Sequence, residues 1–229
     1  MIVSAHESPS GLPFPFVNRY NFAMPNKPLA DDLPLRYRTP DEWAHQALSD
    51  TPALLNDHAH LEKKAGANAL DLLCRWPEPN PPAHWVQAMT NIARDEVEHL
   101  GLVTRLIARR GGKLTKSHKN PYAAALRKLV RLGRGDHDLM DRLMVSALIE
   151  ARSCERFELL AQAGDDKELS KLFSGLWASE HGHYRVFIDL ALRLHPKEAV
   201  DRRWSEMLDA EAGIIAEQPP GPRIHSGLA

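Results

Sequence analysis

The sequence predicts an all-α fold, a bundle of four long helices with peripheral pieces, on three observations. Apolar residues recur at alternating steps of three and four along four long stretches, the mark of a helix with one buried face. Each stripe is broken near its middle by acidic or imidazole side chains. The breaks run Glu62, then Glu96 with His99, then Glu150, then Glu180 with His183: a glutamate followed by Glu-x-x-His, twice over. In ferritin-like carboxylate bundles two helices each give one Glu and the other two each give Glu-x-x-His to a two-metal centre. The fold expected is therefore a ferritin-like four-helix bundle with a long crossover between its second and third helices.

The stripes decide this, because Glu-x-x-His alone is weak. A third copy, Glu42-Trp43-Ala44-His45, has no matching partner and reads as a surface helix end. The four seams are Leu55, Ala59, Glu62, Gly66, Ala69, Leu73; Met89, Ile92, Glu96, His99, Val103, Leu106; Leu143, Ala147, Glu150, Cys154, Phe157, Ala161; and Leu169, Phe173, Leu176, Glu180, His183, Phe187, Leu190, Leu194. A carboxylate inside an apolar stripe is costly unless it is neutralised, paired or bound to metal. Two divalent cations would satisfy all six groups at once. The step of three within Glu-x-x-His puts both side chains on one helix face. Carboxylates mixed with imidazoles suit iron or manganese. The alternative, four amphipathic helices with interior Glu–His and Glu–Arg pairs, needs every helix to place its exceptions at one level by coincidence.

Taken in order, residues 1–38 form a proline-punctuated arm in which Phe14, Phe16, Tyr20 and Phe22 could pin the chain to the bundle. Thr39-Pro40-Asp41-Glu42 reads as a capping box that opens a short helix to about Leu48. The bundle, expected over 39–195, begins at Asp50-Thr51-Pro52 with a helix to about Arg75. Pro77 to Pro82 forms a stiff turn, since proline forbids helix there. The second long helix runs from about Pro82 to Arg110 and ends at Gly111-Gly112. Residues 111–135 are the crossover, with a helical piece from Pro121 to Leu132. The third long helix runs from Asp136 to Ala163. The fourth is capped by Asp165-Asp166 and ends near His195-Pro196. Residues 196–229 add an outer amphipathic helix, Lys197 to about Glu217, and then a tail.

Length and composition set bounds. The 229 residues allow one domain with extensions, and a hydrophobic fraction of 43% is ample for a bundle core. No apolar run reaches a membrane span, and no signal peptide is expected. The two cysteines, Cys74 and Cys154, lie on different helices, so a reducing cytoplasm is the expected setting. A formal net charge of −1 hides a segregation. Arg105, Arg109, Arg110, Lys113, Lys116, Lys119, Arg127, Lys128, Arg131 and Arg134 follow one another with no acid between them. Such a tract is the electrostatic footprint of a polyanion such as nucleic acid.

Around the ligands, a metal-bound histidine commonly donates its other N–H to a carboxylate. Asp95 is assigned to His183 across the bundle. Ser179 takes the equivalent place in the other half; His58, one turn before Glu62, is a further supporting candidate, although a partly buried structural histidine is the reading favoured for it. Arg152, Glu155 and Arg156 are expected to pair near the rim. Gly66, Ala69, Ala147 and Ala151 are expected to leave room for a slender apolar group.

The stretches Asp57-His58-Ala59 with Glu62-Lys63-Lys64-Ala65, and Ile149-Glu150-Ala151-Arg152-Ser153-Cys154-Glu155-Arg156-Phe157, resemble the tRNA 2-methylthio-isopentenyl-adenosine hydroxylases, over about residues 50–195. The resemblance implies a non-haem di-iron monooxygenase. Two Fe ions would lie on Glu62, Glu96, His99, Glu150, Glu180 and His183, with Glu96 and Glu180 bridging and Glu62 and Glu150 terminal. O2 is the implied co-substrate, and an external electron donor, a reductase or ferredoxin, supplies two electrons. The implied substrate is the isopentenyl side chain of a hypermodified adenosine beside the tRNA anticodon. In this reading the tract from Arg109 to Arg134 grips tRNA, and the protein is a monomer rather than a large oligomer. The competing readings are another ferritin-like di-iron oxidase or ferroxidase, and a non-enzymatic RNA-binding helical adaptor. Size in solution separates an iron-storing shell, and metal content separates the adaptor.

Overall fold

The computed structural model describes residues 33–76 and 81–229. The arm aromatics and most of the proline turn lie outside the described residues. The order is α1 (Glu42–Leu48), α2 (Thr51–Leu73), α3 (Ala83–Arg109), α4 (Pro121–Arg127), α5 (Asp136–Ala163), α6 (Lys167–Leu194) and α7 (Lys197–Ala216). Among the described residues there is no strand, and an isolated bridge joins Pro220 to Gly227.

Local chemistry sets the ends of the long helices. Asp50 accepts from the Ala53 N–H at 3.0 Å and opens α2, with Pro52 in the first turn. Asp166 accepts from the N–H groups of Glu168 and Leu169 and opens α6. Such caps satisfy N–H groups that have no partner within the helix. Gly111, at φ +73°, turns the chain out of α3, and Gly112 donates back to the Ile107 carbonyl at 2.9 Å. The Thr39 box does not close. Its hydroxyl and N–H both donate to Glu155, at 2.7 and 3.1 Å, so the side chain ties the arm to α5 instead of capping α1. The crossover helix is also shorter than its sequence predicts. After Arg127 the N–H groups of Lys128, Leu129 and Val130 bond three residues back, and the helix unwinds into turns.

Helices α2 and α3 form one hairpin, α5 and α6 the other, and α3 meets α6 between them. The seams face inward. Two apolar clusters result, one around Met89, Leu143 and Phe187, the other around Leu54, Leu106 and Phe173. The polar residues of the seams form the layer between them. Helix α5 is buried well beyond its seam, because α1, α4 and α7 cover its outer side. No helix among the described residues is long and apolar enough to cross a membrane.

The C-terminal residues do not trail away as a tail. Ile224, His225 and Ser226 are buried. Ser226 accepts from the Trp43 indole N–H at 3.0 Å, and the Ile224 N–H donates to Asp57 at 2.8 Å. A Cβ on Gly227 would stand 2.0 Å from the Gln218 carbonyl oxygen, so only glycine allows the return of this segment.

Candidate metal centre

The four long helices bring Glu62, Glu96, His99, Glu150, Glu180 and His183 to one level, none more than 6% exposed. They fall into two overlapping sets. Glu62, Glu96, His99 and Glu180 offer one group of ligand atoms, and Glu96, Glu150, Glu180 and His183 the other, each within 4.8 Å of one another. Glu96 and Glu180 belong to both sets. His99 Nδ1 lies 3.0 Å from Glu180 and 3.5 Å from Glu62, and His183 Nδ1 lies 2.8 Å from Glu96 and 3.4 Å from Glu180.

These distances are those of ion pairs without the directions of hydrogen bonds. Both Glu96 oxygens, Glu180 Oε1, His183 Nδ1 and both His99 nitrogens are buried with no hydrogen-bond partner. Groups left so inside a protein cost about 1–3 kcal/mol each, more when charged. The protein alone leaves this layer unsatisfied and converging on shared space. Four carboxylates and two neutral imidazoles match the charge and donor preference of two iron or manganese ions. The residues present thus fit a two-metal centre.

Burial and mutual charge pull these six groups in different directions. Burial, with the neighbouring Glu180 and Glu62 carboxylates, pushes Glu96 well above the usual carboxylate range, and burial with Glu180 and Glu96 does the same to Glu150. Burial also works to raise Glu62 and Glu180. His58 outweighs it and holds Glu62 at about 2, while His183 and His99 hold Glu180 well below its ordinary value. Burial works to lower both ligand histidines, but Glu180 and Glu62 raise His99, and Asp95, Glu180 and Glu96 raise His183.

The flanking residues differ between the halves. His58, fully buried against Phe157 and Phe173, lies 2.5 Å from Glu62 Oε1. Asp95 Oδ2 is 3.5 Å from His183 Nε2. Ser179 is half-buried beside Glu180 and makes no hydrogen bond to either ligand histidine among the described residues, and His99 Nε2 stays without a partner. Cys154 Sγ sits 3.7 Å from the Trp177 carbonyl, and burial first, then Glu180 and Glu150, pushes its thiol well up.

A cavity of about 100 Å³ opens onto this layer between α2, α4 and α5. Its floor includes Glu62, Glu96, Glu150 and Glu180. Leu61, Ala65, Ala123, Val145, Ile149 and Phe157 supply apolar wall. Its mouth carries Lys64, Asn68, Asn120, Arg127 and Arg142, of which sequence reasoning singled out Arg127 alone. The signal for Lys64 lay in the Glu62-Lys63-Lys64-Ala65 stretch, half a turn beyond a ligand. The small residues Gly66, Ala69, Ala147 and Ala151 do not line the cavity. Gly66 instead lets α2 approach α3, where a Cβ would meet Glu96 Cβ at 3.3 Å.

Arg152, Glu155 and Arg156 are buried rather than at the rim. Arg152, 0% exposed, donates to both Glu211 oxygens on α7 at 2.8 Å and to Glu155, and Tyr122 donates to Glu211 at 2.8 Å. Arg156 stacks on Trp43 with its guanidinium carbon 3.9 Å from the ring centroid. The basic tract divides as well. Arg109 and Arg110 pair with Glu168, and Arg110 also with Asp166. Arg131 donates through Nε and Nη2 to Asp141 at 2.8 Å. Lys113, Lys116, Lys119, Arg127, Lys128 and Arg134 are exposed and pair with no carboxylate among the described residues.

Comparison with known proteins places this architecture. The sequence profile of the tRNA-(MS2IO6A)-hydroxylase (MiaE) family matches residues 30–226. The chain belongs to that family. Two relatives are each named tRNA 2-(methylsulfanyl)-N(6)-isopentenyladenosine(37) hydroxylase. The one from Pseudomonas putida is 37% identical over 190 residues, 83% of this chain and 90% of the relative. The one from Salmonella typhimurium is 28% identical over 239 residues, 83% of this chain and 86% of the relative. A solved structure, a Synechococcus protein described as having aldehyde deformylating oxygenase activity, superposes with a TM-score of 0.77 at 34% identity, over 84% of this chain and 96% of that one. Membership of the MiaE family and this likeness agree with the ferritin-like helical bundle.

Proposed function

We propose that this MiaE-family chain is a tRNA-modifying monooxygenase. It hydroxylates the isopentenyl side chain of the 2-methylthio-isopentenyl-adenosine beside the anticodon, with an iron pair held by Glu62, Glu96, His99, Glu150, Glu180 and His183. The observation that carries this reading is the pair of overlapping buried ligand sets at the floor of an apolar cavity whose mouth is basic. The relatives' names give the substrate class.

Bound there, two irons supply activation of O2 coupled to two-electron transfer, chemistry no side chain provides. The protein's own groups do the rest. Glu96 and Glu180, common to both sets, would be shared between the two ions, and Glu62 and Glu150 would each serve one of them. His58 holds Glu62, and Asp95 orients His183 with its Nδ1 facing Glu96 and Glu180, where it would hold an ion. Leu61, Ile149 and Phe157 exclude water around an aliphatic side chain and hold it against the floor. The exposed Lys113, Lys116, Lys119, Arg127, Lys128 and Arg134 meet tRNA phosphates, and a base splayed from a loop can reach the cavity. An external reductase or ferredoxin supplies the electrons, and the protein works as a cytoplasmic monomer. An aldehyde substrate, the reading raised by the Synechococcus likeness, gives no role to the cations at the mouth.

The test is reconstitution. Iron-loaded protein, given O2, a two-electron donor and an anticodon stem-loop bearing the modified nucleoside, is expected to add one oxygen atom to the isopentenyl group. Glu150→Ala should fold and add none. Full activity in that variant would remove the ligand assignment.

A further inference from the structure

At the cavity mouth the Lys64 ammonium reaches from α2 to the crossover and donates to His118 Nδ1 at 2.8 Å. A ring nitrogen that accepts carries no proton, so the ring proton sits on Nε2, which donates to Asp57 Oδ1 at 2.6 Å. Asp57 is itself fixed, because its Oδ2 accepts the Ile224 N–H. His60 stacks on His118, with centroids 5.0 Å apart and planes within 2°, and Thr115 holds it at 3.0 Å. Lys64 is therefore held by a neutral acceptor, and no carboxylate pairs with it directly among the described residues. Two of its three N–H groups remain for a ligand.

Arg127 lines the same mouth, exposed and without a carboxylate partner among the described residues. The third cation there, Arg142, is engaged by Asp138 at 2.5 Å. Burial first, and also the nearby Arg127 charge, works to lower the Lys64 ammonium, while the Asp57 carboxylate beyond His118 works to raise it. Two cations without a direct carboxylate partner, both lining the mouth of one apolar cavity, form a site for an anion.

We propose that Lys64 and Arg127 clamp the phosphodiester adjoining the modified nucleoside, and that Asp57 and His118 position Lys64 for it. This rests on the tRNA hydroxylase reading and names one contact within it. The hydrocarbon side chain enters the cavity, the base lies at the mouth, and the phosphate is caught between the two cations.

The test uses full-length, iron-loaded protein without O2, so that binding is read without turnover. Fluorescence anisotropy follows a labelled anticodon stem-loop carrying the modified nucleoside, with linkages replaced one at a time by neutral methylphosphonates. Neutralising one linkage beside the modified nucleoside is expected to weaken wild-type binding about tenfold. Lys64→Met should bind about tenfold more weakly and no longer respond to that neutralisation. Its plot of log affinity against log salt should be shallower by about 0.7, the share of one single-stranded phosphate. Lys64→Arg should restore the response. His118→Ala should weaken binding in the wild-type background and add nothing in Lys64→Met. A wild type indifferent to both flanking linkages, or a Lys64→Met variant as sensitive as wild type, overturns the clamp. A further loss from His118→Ala in the Lys64→Met background overturns the positioning role. A wild type that binds modified and unmodified stem-loops equally and hydroxylates neither removes the tRNA reading, and the clamp with it.

Discussion

Loading two divalent cations onto the six-ligand layer is expected to expel about four protons at neutral pH. The number follows from the charges. Four buried carboxylates and two imidazoles with no cation among them are neutral only when they carry four protons beyond the neutral imidazoles, the state the cost of buried charge favours. Burial and the neighbouring carboxylates raise Glu96 and Glu150, and the carboxylates raise His99 and His183 against the effect of burial, so these groups hold protons more tightly than free side chains do. Two divalent ions need four ionised carboxylates and two neutral imidazoles, again neutral overall. The difference is those four protons. Titration calorimetry with ferrous or manganous ion under anaerobic conditions, repeated in buffers of different ionisation enthalpy, reads the number directly. Release of fewer than two protons, or a stoichiometry of one ion, would refute the reasoning.

Four further outcomes follow from particular contacts. Glu211→Ala leaves Arg152 buried without its bidentate partner and should destabilise the protein by about 3–5 kcal/mol in chemical denaturation. Gly66→Ala gains about 1 kcal/mol of helix propensity but presses on Glu96 Cβ, so thermal stability should change little while metal affinity falls about tenfold. Arg131 and Arg203 hold the Asp141 carboxylate below its ordinary 3.8, against the effect of burial. The stability from that pairing is present above about pH 4 and lost as pH falls below it. Asp141→Asn should therefore flatten the acid limb of unfolding, and Arg131→Met should cost stability without changing the salt dependence of tRNA binding.

The ligand layer was legible because each of its residues breaks an apolar seam that its own helix defines. Local periodicity placed Glu62, Glu96, His99, Glu150, Glu180 and His183 on inward faces, and the structure brings them together. What sequence could not reveal depends on partners distant along the chain. Arg152 looks like a surface residue until Glu211, on α7, reaches it. Arg109, Arg110 and Arg131 read as free cations in a tract without acids, yet Glu168, Asp166 and Asp141 arrive from other elements to neutralise them. Thr39 had a good capping sequence, but Glu155 on α5 took its hydroxyl. The proline- and glycine-rich C-terminus has no period, and its burial comes from single contacts with Trp43 and Asp57. Lys64 stands in the Glu62-Lys63-Lys64-Ala65 stretch, but only the fold places it at the cavity mouth.

The central claim, a hydroxylase acting on a hypermodified tRNA adenosine, is tested most directly by mass spectrometry of tRNA nucleosides from cells with and without this protein. The account predicts loss of the hydroxylated isopentenyl nucleoside and accumulation of its unhydroxylated precursor, reversed by the wild-type chain but not by Glu150→Ala. An unchanged nucleoside profile, in cells that demonstrably make the precursor, would contradict it.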